Sequence, residues 1–107
     1  MNISFEEFKK CDIRIGEILS AEKAENADKL LKLEVDFGEF KRQIVSGIAE
    51  WYKAEDLIGK KLPFIVNLEP RKFKGVESQG MLMAVDGEDQ PILLEPAGNT
   101  KVGDKIV

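Results

Sequence analysis

Between Asn67 and Met81 the chain reads Asn67-Leu68-Glu69-Pro70-Arg71-Lys72-Phe73-Lys74-Gly75-Val76-Glu77-Ser78-Gln79-Gly80-Met81. Arg71, Lys72 and Lys74 crowd cations around Phe73. Like charges held this close repel, so the arrangement costs free energy unless an anion offsets it. A phosphate backbone is such an anion, and Phe73 offers a ring face on which an unpaired base can stack. The plainer alternative folds Phe73 back into the core. Gly75 and Gly80 bracket the residues that follow and permit backbone conformations closed to other residues. Ser78 and Gln79 carry groups able to pair with a base edge or a ribose hydroxyl. Met81 stands where a strand begins and can pack against a base or enter the core. Met83, on the same strand face, reads as core.

This cationic island is local. The whole chain holds 16 basic and 20 acidic side chains, a net charge of −4. Residues 60–75 carry five basic groups against one acid, whereas residues 1–40 carry six against ten and residues 76–107 two against six. Screening limits electrostatic reach to about 8–10 Å, so the local field decides what binds at the island. Histidine is absent and Cys11 is the one cysteine. Zinc sites built on Cys and His are thereby excluded, as are Ser-His-Asp and Cys-His nucleophiles. Neither a G-x-x-x-x-G-K-[ST] loop nor a G-x-G-x-x-G loop is present. The expectation is a binding module with no cofactor, no metal site and no catalytic residues. One cysteine permits no intrachain disulfide, which favours a reducing, cytoplasmic setting. No apolar run approaches the roughly 20 residues that cross a bilayer. The N-terminus lacks the pattern of a secretory signal, so no membrane partner is expected.

The elements that must hold the island follow from capping and periodicity. Ser4 and Glu7 form a capping box that opens a short helix of about two turns. Cys11-Asp12-Ile13-Arg14-Ile15 alternates as a first strand, with Gly16 a candidate bulge or bend. Lys29 lies in the loop before a second strand, Leu31–Phe37, whose apolar residues alternate. Gly38-Glu39 turns the chain into Lys41–Ser46, and this returning strand brings Arg42, Gln43 and Ser46 toward the island. Ala54–Gly59 reads as a helical turn ending at glycine, and Trp51 and Tyr52 before it read as core plugs. Leu62, Phe64, Val66 and Leu68 resume period two. Gln79–Val85 is a fifth strand, and a last short strand is expected within Val102–Val107. The order predicts one all-β domain over residues 1–107: an OB-fold, a five-stranded antiparallel Greek-key barrel with a short N-terminal helix and a short helix between strands 3 and 4. A sandwich or SH3-like barrel is the structural alternative.

Four segments carry a resemblance: Asp12-Ile13-Arg14-Ile15-Gly16, Asn26-Ala27-Asp28-Lys29-Leu30, Arg42-Gln43-Ile44-Val45-Ser46-Gly47, and the run from Asn67 to Met81. Together they resemble the tRNA-binding domain appended to the C-terminus of many methionyl-tRNA synthetases and found in free-standing structure-specific tRNA-binding proteins. The resemblance covers nearly the whole chain. It implies an OB-fold that often forms homodimers through its terminal elements and binds tRNA by shape, without catalysis. It also implies association with a methionyl-tRNA synthetase, as a beta subunit or appended domain, or free-standing action on tRNA. By position it assigns RNA contacts to Asn67, Arg71, Lys72, Lys74, Ser78 and Met81, with Arg42 and Ser46 nearby and Lys29 added through its motif. Phe73 and Gln79 complete the candidate set. The chain departs from the family in its acidity, which makes the doubled patch of a dimer useful for tight binding. Dimeric peptide-binding chaperones of the same fold are the alternative; they diverge where this chain has Ser78-Gln79-Gly80-Met81.

Overall fold

The computed structural model describes residues 1–107. In chain order the elements are α1 (Phe5–Phe8), β1 (Ile13–Ala24), β2 (Ala27–Asp36), β3 (Lys41–Ser46), α2 (Ala54–Leu57), β4 (Lys61–Ile65), β5 (Arg71–Phe73), β6 (Val76–Ser78), β7 (Met81–Leu82), β8 (Ala84–Asp86) and β9 (Pro91–Leu93). Alternation builds the framework. Leu31, Leu33, Val35 and Phe37 lie on or just beyond β2 with one phase, and all are buried. Leu62, Phe64 and Val66 do the same from β4, whereas Leu68 is exposed. Phe37 and Phe64 meet edge to face at 5.5 Å between ring centroids. Such pairs add about 0.5–1.5 kcal/mol beyond the area they bury.

The main sheet runs in the order β3-β2-β1-β4-β7, and its pairings are antiparallel. This is the strand order of an OB-type barrel, with α2 between strands 3 and 4 as expected. No backbone ladder joins β3 to β7. The gap is closed by a seam of hydrogen bonds instead. Gln79 N–H donates to the Gln43 carbonyl at 2.8 Å. Gln43 N–H donates to Gln79 Oε1 at 3.0 Å, and Val45 N–H to Ser78 Oγ at 2.9 Å. A partly open barrel is therefore joined here by one main-chain bond and by the side chains of Gln79 and Ser78.

Several local expectations change. β1 continues well past Ile15, but its buried phase moves by one residue at Ile15–Gly16 and its register shifts again between Ile18 and Ser20, which hides the continuation from a period-two reading. Gly16 is no bulge. A Cβ there would stand 2.5 Å from Val35 Cγ1 and 2.6 Å from Phe37 Cε1, so glycine is what allows β1 to press against β2's large side chains. α1 is a single turn, its first N–H groups served by Ser4, whose hydroxyl accepts from Glu7 N–H at 3.1 Å. Of the two aromatic residues before α2, Tyr52 packs on the core and donates its hydroxyl to the Pro91 carbonyl at 2.9 Å. Trp51 stays 41% exposed. The fifth strand is split into β7 and β8, and β8 turns into β9. The C-terminal segment makes one bridge, Arg14 to Lys105, along the stretch of β1 that β2 leaves uncovered. No helix is long and apolar enough to cross a membrane.

Gly16→Ala tests the contact of β1 with β2. Overpacking of this kind costs about 1–3 kcal/mol. Urea unfolding of the variant is expected to show that loss, and an unchanged midpoint would contradict the close approach.

Candidate nucleic-acid interface

Pro70 ends the exit from β4, and the island then forms a small hairpin. Arg71 pairs with Ser78, Lys72 with Glu77 and Phe73 with Val76. Its two-residue tip is Lys74-Gly75, with φ values of 52° and 85°. Two positive φ values are what the preferred hairpin turn demands. Glycine meets that demand freely, but lysine pays about 1–2 kcal/mol for a left-handed backbone. The Arg71 guanidinium lies over the Phe73 ring, 4.9 Å from its centroid. Half-buried Phe73 thus already has a cation on one face and is not a core plug.

Opposite the tip lies the β1–β2 turn, where Asn26 adopts φ 60°. Asparagine tolerates that region better than most residues. The turn and the hairpin enclose an open cleft of about 710 Å³, lined by Asn26 to Leu30 on one side and by Lys72, Phe73 and Lys74 on the other. Lys29, Lys72 and Lys74 therefore share one concavity, although Lys29 comes from a distant part of the chain. OB barrels bind oligonucleotides between these two loops. Lys29 is exposed and contacts Glu50 at 3.5 Å, a weak surface pair.

The charges around the cleft are sorted by their partners. Arg42, Arg71, Lys72 and Lys74 have no carboxylate within 4.0 Å. Lys60 and Lys61 are instead committed to the C-terminal segment: Lys60 pairs with Glu95 at 2.6 Å and Lys61 Nζ donates to the Thr100 carbonyl at 2.9 Å. The effective island is thus smaller than the run of sequence suggested. Arg42 does not reach the lysine cleft. Its guanidinium stacks on Phe40 at 4.2 Å, beside Arg14 at 5.2 Å from the same ring. It lines a second concavity with Lys32, Lys41, Gln43 and Gln79. Arg14 is held by Asp12 through contacts of 2.8 and 3.0 Å, and that hydrogen bonding keeps the Asp12 carboxyl below its ordinary range. Ser46 and Met81 meet in a third hollow with Ile48 and Met83; Met81 is 46% exposed.

Three candidates face the fold's own backbone. Asn67 accepts the Asp12 N–H at 2.8 Å and donates to the Lys10 carbonyl at 2.6 Å, tying the N-terminal segment to the end of β4. Ser78 is 3% exposed. Its hydroxyl accepts from Val45 N–H and donates to the Gly80 carbonyl, each at 2.9 Å. Gln79 is half-buried and pairs with Gln43 across the seam. Gln43 was placed near the island by its strand but assigned no contact, and Phe40 was not singled out from the sequence. Gln43 sits on the strand that carries Arg42, and Phe40 precedes it in the turn; neither has a type that distinguishes a brace from a surface residue.

Residues 13–105 match the model of the family described as "Putative tRNA binding domain". The methionine–tRNA ligase of Archaeoglobus fulgidus is 48% identical over 104 residues, which is 97% of this chain and 16% of that protein. The chain thus spans a small part of the length of the curated relatives it matches. A MetRS-related protein from Pyrococcus horikoshii superimposes with a TM-score of 0.94 at 42% identity, covering 100% of this chain and 99% of that one. The chaperone CsaA from Bacillus anthracis superimposes with a TM-score of 0.89 at 32% identity and covers 100% of both chains.

Lys74→Gly separates the turn from its charge. It is expected to raise stability by roughly 0.5–1 kcal/mol, the left-handed strain relieved less the entropy of glycine. The same change is expected to weaken binding to a polyanion such as RNA. Thermal unfolding and a titration with RNA check the two halves, and a gain in affinity would contradict the placement of Lys74 at the site.

Proposed function

Because the chain belongs to the tRNA-binding domain family, which its match over residues 13–105 and its relatives show, we propose that it is a non-catalytic module whose tRNA site is the cleft between the β1–β2 turn and the β5–β6 hairpin. The observation that carries this reading is the convergence of Lys29 with Lys72 and Lys74 on one open cleft. Three ammonium groups, one from the start of β2 and two from the hairpin, suit a phosphate backbone that follows a curved path. Phosphate contacts position a nucleic acid without reading its bases, so recognition by shape follows. Phe73, with Arg71 on one face, leaves room for one stacked base. Arg42 and Lys41 add two cations in a neighbouring concavity that also holds Glu22 and Glu34, and Met81 with Ser46 lies in a further hollow.

A carrier role beside a methionyl-tRNA synthetase agrees with ligase relatives of which this domain forms a small part. A separate subunit, an appended domain and a free-standing protein all use the same surface. Dimerisation is supported by the exposed apolar side chains of Phe5, Phe8, Ile106 and Val107, which gather around one cleft of the terminal segments. Two copies would double the cations offered to one tRNA. A cytoplasmic setting agrees with such work.

One observation favours a second reading, a dimeric peptide-binding chaperone. An apolar groove of about 630 Å³ runs between β1 and the C-terminal segment, lined among others by Ile13, Ile15, Pro63, Met83 and Leu94. The likeness to CsaA points the same way. The lysine cleft has no use in that reading.

Salt dependence decides between them. Replacing Lys72 and Lys74 together by alanine is expected to flatten the log–log plot of tRNA affinity against salt by roughly 1.4–1.8, the loss of two phosphate contacts. Light scattering on the same samples gives the oligomeric state. Unaltered affinity and slope would remove the hairpin from the site, and peptide binding without tRNA binding would put the chaperone reading first.

A further inference from the structure

We infer that Ser78, Gln79 and Gln43 act on RNA binding as positioning residues: they latch the β5–β6 hairpin to β3 and thereby hold Arg71, Lys72 and Lys74 at the cleft. The inference rests on the tRNA reading above and deepens it.

The hairpin cannot hold itself in place. Each strand is three residues long, and the pair belongs to no larger sheet. A lone two-stranded hairpin is marginally stable at best in water. Its fixed points are the stem at Pro70 and the contacts of β6 with β3. Those contacts fall directly across from the cations. Ser78, whose hydroxyl accepts the Val45 N–H, is the ladder partner of Arg71. Glu77, whose carbonyl accepts from Gln43 Nε2 at 2.8 Å, is the ladder partner of Lys72. Gln79 completes the latch by exchanging two hydrogen bonds with the Gln43 backbone.

The chemistry of Ser78 excludes a simple RNA contact. Its hydroxyl has one proton, which goes to the Gly80 carbonyl, and it lies in a buried position. No buried side-chain polar atom in the fold lacks a partner, and the Ser78 hydroxyl at the buried end of the latch is paired without ligand. The Ser78–Val45 bond is buried and the Gln43–Gln79 bond part-buried, and bonds shielded from water in this way hold geometry more firmly than exposed ones. Here the geometry fixed is the spacing of three like charges that repel one another and would otherwise spread.

A latch and a contact differ in how their loss combines with loss of the lysines. Ser78→Ala removes the bond to Val45. Gln43→Met removes the bond to the Glu77 carbonyl from a half-buried position and is the safer variant should Ser78→Ala fold poorly. Each is measured for tRNA binding in the parent and in the Lys72→Ala, Lys74→Ala background, and amide exchange of residues 71–78 is followed in the free proteins. If the latch keeps the hairpin docked, its loss leaves the competent state populated to about a tenth, and affinity falls on the order of ten-fold. That loss is expected to shrink in the lysine-free background, where the docked hairpin presents only Arg71 and Phe73 to the RNA, and hairpin amides are expected to exchange faster in both variants. Equal losses in the two backgrounds would overturn the inference in favour of direct contact or general destabilisation. Unchanged exchange would overturn it as well. If the parent itself fails to bind tRNA, the proposed function falls, and the exchange data still decide whether the latch holds the hairpin.

Discussion

The barrel's backbone ladder stops at β3 on one side and β7 on the other, and one main-chain bond, from Gln79 N–H to the Gln43 carbonyl, together with a set of side chains joins them. Ser78 and Gln79 do this from the stretch that leads into β7, Gln43 from β3. A main-chain ladder would have closed the barrel with groups that every residue has. A side-chain seam closes it with particular residues, so the closure and the loop beyond it depend on sequence at a few positions. Because the hairpin grows out of that seam, the same bonds that complete the core also set where its cations stand.

Charge is the second constraint. An acidic chain can bind an anion only if cations are gathered and acids kept from neutralising them. The fold does both. Lys60 and Lys61 are drawn toward Glu95 and Thr100, away from the cleft, whereas Arg71, Lys72 and Lys74 have no carboxylate partner. Glu77 is next to Lys72 across the hairpin yet forms no ion pair with it. Lys29 arrives from the start of β2, not from the loop before it, across a cleft open to solvent. A lysine held in left-handed backbone at the tip is the local cost of placing charge at the outermost point of the hairpin.

Much of the framework was legible in the sequence because period two is a property of sequence. Leu31 to Phe37 and Leu62 to Val66 alternate, and both are core strands with the expected faces inward. The Ser4 cap, the helix between strands 3 and 4 and the left-handed Gly75 were legible for similarly local reasons. β1 was read too short because adjacent Ile15 and Gly16 are both buried, which moves the inward phase by one residue there, ahead of a register shift between Ile18 and Ser20. For the site, the cationic island was visible, but its membership was not. Lys60 and Lys61 look like Lys72 and Lys74 until their partners are known. Ser78, Gln79 and Asn67 have side chains that satisfy a neighbour's backbone as readily as a base, and no local pattern separates the two uses. The convergence of Lys29 on the hairpin is a product of topology.

The central claim is that tRNA sits between two loops that the chain brings together from afar. Backbone amide chemical shifts followed by NMR during a tRNA titration test it most directly. The account predicts that the perturbations cluster at Asn26 to Leu30 and Arg71 to Gly75, on both walls of the cleft, and that added salt reverses them. Perturbations confined to the apolar groove of Ile13, Ile15, Met83 and Leu94, with both loops unaffected, would contradict it.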